Sequence, residues 1–218
     1  MPGTVLEEIE IIDDAGSGGP APPVEGGEEG EPESGGAAAV PARAYFTGVS
    51  IGLAAILMFF MALTSSYIVR KGLGGDWQPV RLPSILWFNT LALLASSATV
   101  EIARRQLGAG ALEAFRRWWG LTTALGLVFL TGQVIAWRQL AAAGVFLSSN
   151  PSSSFFYLLT AAHGVHLLGG IVALFYVAFR AWKYSRITQG TAAELTSIYW
   201  HFMDGLWVFL FLLLNLGR

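Results

Sequence analysis

Hydrophobic positions gather from residue 45 onward into five long runs: Tyr45 to Val69, Ser84 to Ala103, Trp119 to Leu140, Phe155 to Phe179 and Leu195 to Leu216. At about 1.5 Å of helical rise per residue, about twenty residues cross the roughly 30 Å hydrocarbon layer of a bilayer, and each run is long enough. Lipid offers the backbone no hydrogen-bond partner, and a barrel would need apolar and polar residues to alternate, which they do not. The pattern therefore predicts an all-α integral membrane protein whose residues 45–218 form a bundle of five transmembrane helices.

The first 44 residues follow another rule. Apart from the aliphatics in "TVLEEIEIIDD", they are mostly Gly, Pro, Ala, Glu and Ser. Such a segment cannot bury enough apolar surface to offset the entropy of ordering it, so it is expected to be a disordered acidic tail. It has no basic start and apolar core of the kind that marks a secretory signal. Val5, Leu6, Ile9, Ile11 and Ile12 among the acids could dock on a partner as a short strand or helix, or be incidental in a solvated tail.

Composition agrees with a membrane chain: 54% of the 218 residues are hydrophobic and only 13% are charged. Ten of the fifteen acids precede Arg43, so the net charge of −2 describes neither the acidic tail nor the basic remainder. With five spans the two ends face opposite sides. Eight basic residues (Arg43, Arg104, Arg105, Arg116, Arg117, Arg180, Lys183, Arg186) lie on the side of the N-terminus, and five (Arg70, Lys71, Arg81, Arg138, Arg218) lie on the other. The positive-inside rule then places the N-terminus in the cytoplasm and the C-terminus outside. Trp77, Trp87, Trp118, Trp119 and Trp182 fall near span ends, as an interfacial aromatic belt requires.

Cysteine is absent, which excludes disulfides, thiolate zinc, iron–sulfur clusters, c-type haem attachment and a thiolate-bridged copper pair within this chain. The chemistry then narrows to polar groups inside the spans, which are costly there and mark a structural or functional site. Glu101 has Arg104 and Arg105 one turn later and is expected to pair with them. In "AAHGVHLLGG", His163 and His166 share a face beside Gly164, Gly169 and Gly170, which allow a close neighbour. In "YWHFMDGLW", His201 and Asp204 repeat the spacing of three. Helical rise puts Asp204 about 13 Å, and His166 about 13 to 14 Å, from the same membrane edge. A shared cluster of His163, His166, His201 and Asp204 is expected, serving as a polar clasp, a proton relay or a metal site. Against metal ligation, three histidines cannot bracket two haems, and membrane histidines often hydrogen-bond between helices.

These segments carry a resemblance. "FFYLLTAAHGVHLLGG" followed by "AELTSIYWHFMDGLWVFLFLLLNL" resembles the last two helices of subunit III of haem-copper respiratory oxidases, and "LPSILWFNTLALLASSATVEIARR" and "LTTALGLVFLTGQVIAWRQL" are similar to the helices before them. The resemblance covers about residues 45 to 217, in order, and not the tail. It implies a subunit without active site, haem or copper of its own. Such a subunit docks in a bacterial plasma membrane on the catalytic subunit I, with subunit II receiving electrons from cytochrome c. It implies bound phospholipid, support of proton uptake and protection of the core during sustained turnover. Further respiratory-complex subunits are expected, apart from the resemblance, as partners of the tail. Nucleic acid is not among the expected partners. His163, His166, His201, Asp204, Glu101, Arg104 and Arg105 would serve as structural clasp or as subunit and lipid contacts.

The chain departs from that family in two places. Seven-helix members have an additional N-terminal helix pair forming a lipid-filled cleft, where this chain has its tail. The family's first shared helix usually carries a buried glutamate, and the aligned position here is Ile56, so no carboxylate role is carried over. Homologous subunits of quinol oxidases and nitric oxide reductases are the nearest alternatives. A membrane carrier or haem-binding membrane protein is the alternative of another class, and the chain lacks the internal repeat typical of carriers.

Overall fold

In the computed structural model, residues 42–73, 75, 77–78, 80–183 and 190–216 are described. They form five helices: α1 (Ala42–Leu73), α2 (Ile85–Gly108), α3 (Leu112–Ala142), α4 (Pro151–Lys183) and α5 (Gly190–Leu216), all long and apolar enough to cross a membrane. Among the described residues there is no strand. The expected disordered tail lies outside the described residues except for positions 42–44, which are already helical.

Most helices outrun the apolar segments that announced them, because hydropathy ends where charge begins while backbone hydrogen bonding does not. Arg70 and Lys71 extend α1, Arg105 closes α2, Glu113 and Arg116 precede the apolar part of α3, and Arg180 and Lys183 end α4. One consequence is a correction. Trp119, expected in the interfacial belt, is seven residues inside α3, is 1% exposed, and donates its indole N–H to the Leu174 carbonyl at 2.9 Å. Trp87 and Trp182 are exposed.

The connection from α2 to α3 is a tight turn at Gly110, whose φ of +76° suits a residue without a Cβ. The Ala109, Gly110 and Ala111 amides donate to the carbonyls of Arg105, Leu107 and Gln106, so the end of α2 is satisfied before the chain reverses. The result is a helical hairpin in which α2 and α3 pack along their length. At the start of α4, Asn150 and Ser153 cap one another: the Ser153 amide donates to Asn150 Oδ1 at 2.9 Å and the Asn150 amide to Ser153 Oγ at 3.2 Å. Pro151 opens the helix where a missing N–H costs nothing.

The core lies among α2 to α5, with Trp119, Trp200, Trp207, Phe129 and Phe156 fully enclosed. Aromatic bulk fits because glycine stands opposite it. A Cβ on Gly126 would lie 2.8 Å from the Trp200 ring, and one on Gly170 would lie 3.0 Å from Tyr199 and 3.2 Å from Trp200. Gly164, expected to admit a neighbour, has nothing within 4 Å of that position. Helix α1 is peripheral: 6% of its membrane span is buried, against 44 to 50% for the others. It touches α4 and α5 through a narrow line that includes Phe60, Thr64 and Tyr67. Ile56, at the position discussed above, is partly buried against the core.

Candidate functional site

Three hydrogen bonds tie α5 to α2, each between a ring nitrogen and a hydroxyl. Trp207 Nε1 donates to Thr90 Oγ1 at 3.1 Å, and Trp200 Nε1 donates to Ser96 Oγ at 2.9 Å. Each hydroxyl passes its own proton back to its helix, Thr90 to the Leu86 carbonyl and Ser96 to the Leu93 carbonyl, so donor and acceptor capacity are both used. One step along, Ser97 Oγ meets His201 Nδ1 at 2.6 Å. These contacts fix register as well as attraction, since α2 and α5 run antiparallel and rising numbers on one meet falling numbers on the other.

The expected shared cluster of His163, His166, His201 and Asp204 is not what the structure forms: among the described residues no hydrogen bond joins any two of them. His201 turns to α2. His166 donates from Nδ1 to the Ala162 carbonyl at 2.8 Å and lays its ring against Phe60 and Phe59 of α1, at centroid distances of 5.6 and 6.1 Å. His163 is wholly enclosed between Phe129 and Trp207, at 6.0 and 5.2 Å, with neither ring nitrogen hydrogen-bonded. Asp204 is 3% exposed, and neither of its carboxyl oxygens is hydrogen-bonded. The link from α4 to α5 at this level is instead Tyr199, whose hydroxyl donates to the His166 carbonyl at 2.8 Å.

Glu101 accepts from Arg104 at 2.9 and 3.0 Å and from Arg105 at 2.8 Å. The pair sits at the basic end of α2, where its energetic value is small because water screens it. Among the described residues no three His, Cys, Asp or Glu side chains come together as a metal site. Sequence reasoning missed Thr90, Ser96, Ser97, Trp200 and Trp207. Their signal was present: Trp200, Asp204 and Trp207 fall on one face of α5 at spacings of four and three. Asn89 and Gln133 were missed too, both buried with amide groups lacking a partner.

Two surfaces complete the geometry. An apolar hollow of about 310 Å³ opens between α1 and α5, lined by Leu57, Phe60, Met61, Phe202 and Leu206. At the ends of α1 and the start of α4, a wider recess of about 780 Å³ carries Arg70, Ser148, Ser149 and Asn150 beside Val69 and Phe155.

The model of a family described as "Cytochrome c oxidase subunit III" matches residues 45–216, from the first span to the last. The chain belongs to that family. "Probable cytochrome c oxidase subunit 3" of Mycobacterium tuberculosis (strain ATCC 25618 / H37Rv) is 36% identical over 170 residues, covering 75% of this chain and 83% of that one. "Cytochrome c oxidase subunit 3" of Corynebacterium diphtheriae is 34% identical over 174 residues, covering 76% and 84%. The protein of the same description from Thermostichus vulcanus is 30% identical over 175 residues, covering 77% and 84%. The match to this subunit III chain covers α2 to α5 whole and α1 from residue 45 onward, and the two polar segments of α4 and α5 lie inside it.

Proposed function

We propose that this chain is the non-catalytic third subunit of a cytochrome c oxidase, an oxidoreductase complex of aerobic respiration coupled to proton translocation. The observation that carries the reading is the family match, which runs through every helix of the bundle. In this reading haem and copper belong to partner subunits I and II, and this chain supplies no reacting group. Its bundle stabilises the catalytic subunit, supports proton uptake and prolongs turnover.

The chemistry of the surface supports a role in assembly. Helix α1 exposes Ile51, Met58, Met61 and Ile68, and α4 exposes Val165, Val172 and Phe179, faces suited to lipid or to neighbouring helices. The hollow between α1 and α5 accommodates acyl chains, and bound phospholipid is assigned there. The arginine and lysine distribution supports a bacterial plasma membrane placement with the N-terminus cytoplasmic and the C-terminus outside. In this reading further respiratory-complex subunits are the partners of the acidic tail.

The reading is tested by purifying the chain through a C-terminal tag from native membranes in mild detergent. Oxygen-reducing activity with reduced cytochrome c and a haem spectrum should co-purify in constant ratio to the tagged chain. A pure tagged chain carrying its own stoichiometric haem, or a complex that oxidises only quinol, would overturn it.

A further inference from the structure

Three side chains inside the bundle carry hydrogen-bonding groups that no neighbour takes up. Asn89 of α2 and His163 of α4 are 0% exposed, and Gln133 of α3 is 2% exposed. Among the described residues, Oδ1 and Nδ2 of Asn89, Oε1 and Nε2 of Gln133, and Nδ1 and Nε2 of His163 all lack a partner. The hydroxyls beside them are engaged. Thr90 accepts from Trp207 and donates to the Leu86 carbonyl, while Thr160 accepts from Trp137 and donates to the Phe156 carbonyl.

A circuit of contacts around four helices brings the three together. Asn89 lies against the α3 backbone, where a Cβ on Gly132 would fall 2.7 Å from its Cγ, and Gln133 is the next residue. Gln133 stands one turn from Phe129 and one turn from Trp137 on α3. The Phe129 ring packs 6.0 Å from His163, and Trp137 Nε1 reaches Thr160 Oγ1 at 3.1 Å, so Gln133 falls at the stretch of α4 between Thr160 and His163. His163 in turn packs 5.2 Å from Trp207 of α5, and Trp207 bonds Thr90, the residue after Asn89. The circuit from α2 through α3, α4 and α5 thus closes on itself.

We propose that Asn89, Gln133 and His163 form a binding site for ordered water sealed inside the bundle, where water bridges the three side chains and so joins α2, α3 and α4. A buried polar group without a partner is costly, and buried water is the usual remedy where several such groups converge. Burial excludes a larger ligand, since none of the three side chains reaches the surface. The mixture of groups selects water over an ion. Each carboxamide presents a carbonyl oxygen and an NH2 group, and a neutral imidazole presents one donor and one acceptor, so the site both gives and takes hydrogen bonds. A cation would use only the oxygens and one ring nitrogen, and an anion only the N–H groups. Water makes about three bonds of both kinds. Phe129 and Trp207, edge to face at 4.8 Å, wall the site beside His163.

The site makes no demand on the oxidase reading, and its test reads where water sits and not what is turned over. X-ray radiolysis converts bound water into hydroxyl radical, which oxidises the side chains beside it. The assembled complex is irradiated briefly, and oxidised positions are read by mass spectrometry of its peptides. Trp207 and His163 should gain oxygen although both are buried. Trp119, also 1% exposed but bonded to Leu174 away from the site, should not. In the double variant Asn89→Leu, Gln133→Leu, whose apolar side chains are close in shape to those they replace, the oxidation of Trp207 and His163 should be lost. A high-resolution cryo-electron microscopy map of the wild-type complex decides the matter if that variant fails to assemble. It should show water density at about 2.7 to 3.2 Å from polar atoms of at least two of the three side chains. Trp207 oxidised no more than Trp119, or oxidation unchanged in the double variant, would overturn the proposal. So would a map in which the three side chains bond directly to one another, or one with a peak at the about 2.3 to 2.6 Å typical of a cation and its oxygen ligands.

Discussion

Asn89 and Gly132 show how closely single residues set this bundle. A Cβ added to Gly132 would overlap the Asn89 carboxamide, which is itself fully buried between α2 and α3. Gly132→Ala should therefore cost about 1 to 3 kcal/mol, as overpacking does, and lower the temperature at which the subunit leaves the complex. Gly52→Ala, with nothing within 4 Å of the new methyl, should not. Gly110→Ala should also destabilise, by about 1 to 2 kcal/mol, because its φ of +76° is costly for any residue with a Cβ. Thermal release of the subunit from solubilised complex, followed by gel, compares all three. The polar residues themselves were legible one by one: Glu101 paired with Arg104 and Arg105, and His163, His166, His201 and Asp204 stood out as costly in a span. Their partners were not. Helical rise fixes how deep a side chain lies, and Tyr199 bonding the His166 carbonyl shows that the two helices do meet near that level. Which way His201 turns depends on the packing of Trp200 and Trp207 against α2, and depth arithmetic contains no such information.

Helix α5 is held chiefly by indoles, and the pairing of Trp200 with Ser96 is the cleanest contact to measure. In a double-mutant cycle, Trp200→Phe and Ser96→Ala should show a coupling of about 0.5 to 1.5 kcal/mol, the usual net worth of a hydrogen bond. Unfolding of the complex by graded denaturing detergent supplies the four stabilities, and strict additivity would remove this bond from the account. The five elements were legible because runs of apolar residues and the demand of the lipid for internal hydrogen bonding leave helices as the only answer. Their ends were not, since Arg70, Arg105, Glu113 and Lys183 are helical yet look like loop by hydropathy. The turn at Gly110 and the mutual cap of Asn150 and Ser153 supply the true boundaries.

For the molecule as a whole, topology and family membership come from different physics. The proposed orientation rests on eight basic residues against five. Protease added to inside-out vesicles should clip within residues 1–41 and leave the bundle intact; clipping only in right-side-out vesicles would invert the orientation. The family could be read from the order of the five spans and the two histidine-bearing segments, which match from residue 45 to 216. The part played by the subunit is a property of the complex. Its most direct measurement starts from complex purified with the chain in place, half of which is stripped of it by stronger detergent. Both halves are then followed through many turnovers of oxygen consumption with reduced cytochrome c. The account predicts matching haem content and similar starting rates, with activity decaying markedly sooner in the stripped half and longevity restored when the chain is added back. Equal endurance of the two halves, or loss of haem together with the chain, would contradict it.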